Sequence, residues 1–142
     1  GTTFGGGPLV CAAALEFLNT VDEEKLMANV RARGAELRTG LVKLAAKFDF
    51  VRELRGEGLM LGLELSVPGA AYVEAALRQG LVMNCTHDYT LRLLPAFILT
   101  TRQVNEFLSK LETVFAKTKR PKPEAAPASG AHEPETALAA AR

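Results

Sequence analysis

The segment from Val51 to Leu65 constrains the fold of this chain most strongly. Leucine occupies every second position from 59 to 65, and a methionine, a glycine and a glutamate stand between the leucines. A period of two is typical of a β-strand with one buried face. Residues 51–54 are typical of a shorter strand, and it is followed by a turn at Gly56 and Gly58. The pattern therefore predicts two strands joined by a glycine turn.

Helical periodicity dominates the segments around these strands. Four helices are predicted, at 8–19, 22–48 and 68–79 and from Thr100 onward. The first is apolar almost all round, which is typical of a helix buried on most sides. Thr20 or Asp22, followed by Glu23, is expected to cap the second helix, and Thr100 with Gln103 the last.

A second pair of strands is predicted at 81–85 and 90–95, joined by a turn at 87–90. In the later strand, Leu91 and Leu93 should point to one face of the sheet and Arg92 to the other. The order helix, helix, strand, strand, helix, strand, strand, helix predicts an α+β fold. It would be a small, mainly antiparallel sheet with helices packed on one face.

The composition changes near Arg120. Residues 121–142 contain four of the seven prolines, and Leu138 is their only large aliphatic residue. Such a segment buries too little apolar surface to offset the entropy lost on ordering. We therefore expect a disordered tail at 121–142, and a folded unit of about 120 residues, long enough to form a core.

Charge and cysteine usage narrow the classes of partner. The net charge is +1, so no strongly basic surface is expected for nucleic acid. No apolar run approaches the roughly 20 residues that cross a bilayer. The two cysteines and two histidines form no zinc-binding pattern, so we predict no metal site and a reducing compartment such as the cytoplasm.

The opening sequence GTTFGGG is the first candidate site. Thr2 and Thr3 supply hydroxyl donors, and the glycines precede a helix whose N-terminus carries partial positive charge. These features suit a phosphate group, although the sequence matches neither a Walker A loop nor a dinucleotide fingerprint. The alternative is a flexible glycine turn that leads into a helix.

Arg92 is the second candidate. A guanidinium group binds a carboxylate through two parallel hydrogen bonds, whereas a solvated or salt-bridged strand arginine is the simpler alternative. Arg55 is expected to have a structural role, paired with Glu57 or Glu64. The grouping of cysteine, histidine and aspartate at 85, 87 and 88 is only a weak indication of a nucleophile and its base.

Three segments resemble the class III aminotransferases, which depend on pyridoxal phosphate (PLP). They are TTFGGGPLVCAAAL, VRELRGEGLMLGLEL and GLVMNCTHDYTLRLLPAFILT, which occur in the order found in that family. The resemblance implies the C-terminal small domain of a fold-type I PLP enzyme. Residues 1–20 would then end the large domain and link it to a small domain at 21–120.

The resemblance also implies roles for individual residues. Thr3, with Thr2 beside it, would contact the cofactor phosphate of the neighbouring subunit in a homodimer. Arg92 would hold the α-carboxylate of the substrate. Gly7 stands where the family has asparagine, which changes the local hydrogen bonding of that turn.

The branch of the family most similar to this chain transfers an amino group from N-acetylornithine to 2-oxoglutarate, in cytoplasmic arginine biosynthesis. Ornithine, succinylornithine, 4-aminobutyrate and glutamate semialdehyde are alternative substrates within the family. The family's Schiff-base lysine precedes the threonine motif, so we predict no catalytic residue in this chain and no activity of the chain alone. A different class of function is a non-catalytic α+β module that binds a small anion or a partner protein.

Overall fold

The computed structural model describes residues 1–121, which form four helices and four strands in the predicted order. The helices are α1 (Pro8–Glu23), α2 (Leu26–Ala45), α3 (Ala70–Arg78) and α4 (Thr101–Lys117). The strands are β1 (Val51–Glu57), β2 (Met60–Leu65), β3 (Asn84–Thr86) and β4 (Thr90–Leu93). The predicted tail at 121–142 lies outside the described residues, apart from Pro121.

The four strands form one sheet in the order β1-β2-β4-β3, and every neighbouring pair is antiparallel. The β1–β2 hairpin closes at the pair Glu57 and Met60. The α+β fold with a small antiparallel sheet is therefore confirmed. Arg52 is skipped in the β1–β2 pairing, which marks an irregularity near the start of β1.

One face of the sheet forms the core. The alternate leucines of β2 and β4 are buried there, together with apolar residues of α2, α3 and α4. The strand residues are Leu61, Leu63, Leu65, Leu91 and Leu93. Arg92 lies on the opposite, exposed face, as its position between two buried leucines predicts.

The start of α2 differs from the prediction. Thr20 and Asp22 belong to α1, and the Thr20 hydroxyl donates to the Glu16 carbonyl oxygen within that helix. The break comes at Lys25, whose φ of 52° is left-handed and which caps α2 without a side-chain hydrogen bond. The predicted cap of α2 is therefore wrong, because α1 continues to Glu23. The cap of α4 by Thr100 and Gln103 is confirmed.

The exposure of α1 also differs from the prediction. None of its residues is buried in the described chain, and Leu9 is 84% exposed. It packs mainly against α2, and the ring of Phe17 lies 6.3 Å from that of Phe97. Pro8 to Asn19 are all exposed and only Thr20 and Val21 are half-buried, so the burial predicted for this largely apolar helix is not met within residues 1–121. The predicted division at residue 20 lies within this helix and stays a prediction.

Aromatic rings fill the centre of the core. The ring of Tyr72 stacks on Phe50 at 5.1 Å and meets Phe115 edge-on at 5.4 Å. Tyr72 is fully buried, and its hydroxyl has no hydrogen-bond partner among the described residues. Burial raises the pKa of Tyr72, because it disfavours the phenolate.

We expect Tyr72→Phe to change the free energy of unfolding by no more than about 1 kcal/mol at pH 7, because the lost hydroxyl is unpaired. The folded-state pKa of Tyr72 lies above its unfolded value. The raised pKa of Tyr72 therefore makes its full contribution to the free energy of unfolding below the unfolded pKa of about 10, and this contribution is lost as pH rises through the folded pKa. Tyr72→Phe should consequently lose less stability at high pH. Urea unfolding at neutral and alkaline pH tests this, and equal losses for the two proteins would contradict it.

Candidate functional site

A row of four residues crosses the open face of the sheet, on the side away from the core. Arg55 of β1, Gly62 of β2, Arg92 of β4 and Asn84 of β3 are in register with one another. We call these four residues the arginine row. Gly62 leaves no side chain between the two arginines. A Cβ atom there would lie 3.2 Å from the Thr90 Cγ2 atom, so the space above Gly62 is narrow.

The two arginines of this row differ in their electrostatic partners. Arg55 forms ion pairs with Glu64 and Glu53, and it donates to the Thr90 hydroxyl oxygen at 3.2 Å. Its predicted structural role as an ion-pair partner of Glu64 is supported. Arg92 has no acidic partner within residues 1–121, and its Nε donates to the Asn84 Oδ1 atom at 3.3 Å. Its guanidinium charge is therefore not balanced by a carboxylate of the described chain.

Arg92 also borders a cavity of about 140 Å³ at the end of the sheet. It is the one charged residue in a lining that is otherwise apolar. The lining includes Leu37, Leu93 and Val104 of the core, so the cavity lies on the helix-covered side of the sheet, whereas the Arg92 side chain lies on the open face. On that open face the guanidinium group is itself suited to bind a carboxylate.

The opening segment forms a turn that leads into α1. Gly6 has a φ of +82°, and Gly7 precedes Pro8 at the helix start without a side-chain cap. The backbone N–H groups of the first helical turn have no partner within the helix. Thr2 and Thr3 are exposed, and no side-chain hydrogen bond engages either hydroxyl within residues 1–121. Hydroxyl and backbone donors thus stand near one helix start, as an anion requires.

The structure does not join the two candidate sites. The backbone hydrogen bonds of the opening turn run within residues 2–11, and no hydrogen bond or ion pair in the described part of the chain links Thr2 or Thr3 to Arg92. The roles that the resemblance implies for these residues stay predictions. Sequence reasoning missed Asn84, because its contact with Arg92 depends on the register of β3 against β4.

The third candidate group does not form a catalytic pair. His87 and Asp88 occupy left-handed positions of the turn between β3 and β4, with φ values of 49° and 59°. Cys85 lies against Gly69 and Leu91, and burial is the main cause that raises the pKa of its thiol. A raised pKa disfavours the reactive thiolate. This arrangement favours a structural role for the turn.

Residues 1–121 contain no group of three or more histidine, cysteine, aspartate or glutamate side chains placed to hold a metal ion. Over the same residues, no helix has the length and apolar character needed to cross a membrane.

Known proteins resemble this chain over most of its length. The curated acetylornithine aminotransferase of Gloeobacter violaceus is 46% identical over 118 residues, which cover 82% of this chain and 30% of that protein. The acetylornithine aminotransferase of Methanosarcina acetivorans is 41% identical over 111 residues, which cover 78% of this chain and 28% of that protein. The chain thus spans less than a third of the length of these relatives.

Solved structures agree in fold. The acetylornithine aminotransferase of Elizabethkingia anophelis superposes with a TM-score of 0.76 at 30% identity, over 82% of this chain and 30% of that one. The ornithine δ-aminotransferase of Plasmodium falciparum gives 0.76 at 30% identity, over 82% of this chain and 31% of that one. The family model of aminotransferase class III matches residues 1–115. The sequence resemblance is thereby confirmed, and the chain belongs to the class III aminotransferase family.

Proposed function

We propose that this chain is the C-terminal part of a PLP-dependent enzyme that transfers the amino group of N-acetylornithine to 2-oxoglutarate. The relatives quoted above from Gloeobacter and Methanosarcina are named acetylornithine aminotransferases, which supports this choice of donor. The protein would act in arginine biosynthesis as a cytoplasmic homodimer. The observation that carries the proposal is Arg92, an exposed guanidinium group without an acidic partner in the described chain.

Arg92 is the proposed binding group for the α-carboxylate. The amino donor and the 2-oxo acid both carry this group, but they react at different carbons. 2-Oxoglutarate reacts at its α-carbon, whereas the α-amine of N-acetylornithine is acylated and the amino group that is transferred lies on the δ-carbon. Two parallel hydrogen bonds from the guanidinium group fix the plane of the carboxylate, and in 2-oxoglutarate they thereby orient the neighbouring, reacting α-carbon.

Thr3, with Thr2 beside it, is the proposed contact to the cofactor phosphate of the partner subunit. The chemistry of the donors fits this group, since a phosphate accepts hydrogen bonds from hydroxyl groups and from N–H groups at a helix start. When bound, PLP would supply the electron sink for the reaction at the carbon that carries the transferred amino group. The residues of this chain would hold the phosphate end and exclude alternative positions of the ring.

We expect Thr3→Ala to raise the dissociation constant for PLP by about tenfold, because one hydrogen bond to a charged group is lost. Equilibrium dialysis of the full-length protein against PLP measures this directly. Thr20→Ala is the matched control, since Thr20 is a threonine of α1 whose hydroxyl bonds only within its helix. Equal PLP affinity of Thr3→Ala and the control would remove Thr3 from the phosphate site.

The proposed activity is tested with the full-length protein that carries these residues. With 2-oxoglutarate as acceptor, N-acetylornithine should give a higher kcat/KM than ornithine, succinylornithine or 4-aminobutyrate. The preference of another donor would overturn the substrate assignment within the family. Residues 1–142 alone should show no transamination, and turnover by them would contradict the proposal that the lysine lies elsewhere.

A further inference from the structure

We propose that Asn84 is a positioning residue for Arg92, and that it leaves only the terminal nitrogens of the guanidinium group free for the substrate carboxylate. This inference rests on the proposed function, because it concerns the same carboxylate site. Asn84 and Arg92 are direct cross-strand partners in the β3–β4 pair. The Arg92 Nε atom donates to the Asn84 Oδ1 atom at 3.3 Å.

The geometry of the guanidinium group explains what this contact does. Arginine carries one N–H on Nε and two on each terminal nitrogen. A carboxylate can bind in two parallel bonds either at the edge that includes Nε or at the edge formed by the two terminal nitrogens. Because Asn84 engages Nε, the second edge is the one left open. The same bond limits the rotation of a long side chain, so less conformational entropy is lost when the substrate binds.

The choice of an amide rather than a carboxylate has an electrostatic consequence. Arg55 lies in the same arginine row and is paired with Glu64, so its charge is balanced within the sheet. Asn84 gives Arg92 a hydrogen-bond acceptor without negative charge. Within residues 1–121, the positive charge of Arg92 is therefore left for an anionic substrate. A carboxylate at position 84 would hold Arg92 equally well but would compete with the substrate.

Two substitutions in the full-length enzyme separate these effects. Asn84→Ala removes the acceptor, and we expect KM for 2-oxoglutarate to rise by about fivefold with kcat within about twofold of wild type. Asn84→Asp keeps an acceptor and adds a charge, and we expect KM to rise by at least about 30-fold. The unfolding temperature of Asn84→Asp should not fall, because the new carboxylate pairs with Arg92. Stability and substrate affinity should thus move in different directions, which a merely structural role would not produce.

A binding measurement and a control accompany the kinetics. Glutarate has the two carboxylates of 2-oxoglutarate but no reactive carbonyl group, and its dissociation constant by calorimetry should follow the order wild type, Asn84→Ala, Asn84→Asp. Thr86→Val is the matched control, because Thr86 lies two residues along β3 and pairs with Thr90 rather than Arg92. Its KM and glutarate affinity should equal those of wild type.

The outcomes distinguish this inference from the function on which it rests. If Arg92→Ala impairs catalysis while both Asn84 variants keep the wild-type KM, the positioning role is wrong and the carboxylate site stands. If Asn84→Asp loses stability and affinity together, the charge argument is wrong. If Arg92→Ala itself has no effect on catalysis, the proposed carboxylate site is wrong, and the role of Asn84 that depends on it is wrong as well.

Discussion

Replacement of Arg92 by alanine is expected to lower the kcat/KM of the full-length enzyme by about 10²- to 10³-fold for 2-oxoglutarate, and to lower it by a smaller factor for the amino donor. Both substrates carry an α-carboxylate that this side chain would bind, but only in 2-oxoglutarate does that carboxylate adjoin the reacting carbon. The loss should appear largely as a higher KM, because the carboxylate is expected to be held equally in the ground state and in the transition state. Steady-state kinetics with each substrate varied in turn measure the effect.

Two companion variants identify what is lost with Arg92. Arg92→Lys keeps the charge but not the planar pair of donors, so it should recover only part of the activity. Arg55→Lys changes the other charged member of the arginine row, whose ion pairs lie at the surface, and should alter kcat/KM by less than about threefold. Similar losses for the Arg55 and Arg92 variants would show that the row acts as a general cationic surface rather than a specific site.

The side of the sheet that carries Arg92 could be predicted because strand geometry is local. Leu91 and Leu93 are 0% and 4% exposed, and the residue between two buried strand positions must point away from the core. The order of elements and the cap of α4 depend on equally local patterns, the period of apolar residues and the spacing of Thr100 and Gln103. These features therefore agree with the sequence predictions.

Contacts that depend on the pairing of distant segments could not be predicted in this way. Strand β3 covers only Asn84–Thr86 rather than 81–85, and its register against β4 places Asn84 beside Arg92. The choice of Glu64 over Glu57 as partner of Arg55 likewise depends on the β1–β2 register. Apolar character alone did not predict the exposure of α1, because burial depends on which elements surround a helix.

Gly56 is the position in β1 where we expect the largest loss of stability from one added methyl group. Its φ is +111°, a conformation that residues with a Cβ atom rarely adopt, and an added Cβ would lie 2.0 Å from the Met60 carbonyl oxygen. Its own carbonyl oxygen accepts a hydrogen bond from Arg38 of α2. We therefore expect Gly56→Ala to lower the free energy of unfolding by more than about 3 kcal/mol. Urea denaturation of residues 1–142, followed by circular dichroism, measures this loss.

Gly80 provides the matched control that separates backbone strain from steric conflict. Its φ is +74°, but the nearest atom to an added Cβ is the Lys110 Nζ at 4.0 Å, the mobile end of a long side chain. Gly80→Ala should therefore cost only the strain of a left-handed residue, about 1 kcal/mol. A difference of at least about 2 kcal/mol between the variants would indicate that the Met60 carbonyl fixes the backbone of the hairpin. This hairpin places Arg55 and Gly62 beside Arg92. If Gly56→Ala and Gly80→Ala lose the same free energy of unfolding, the positive φ alone limits position 56. The turn would then tolerate a small shift of the arginine row.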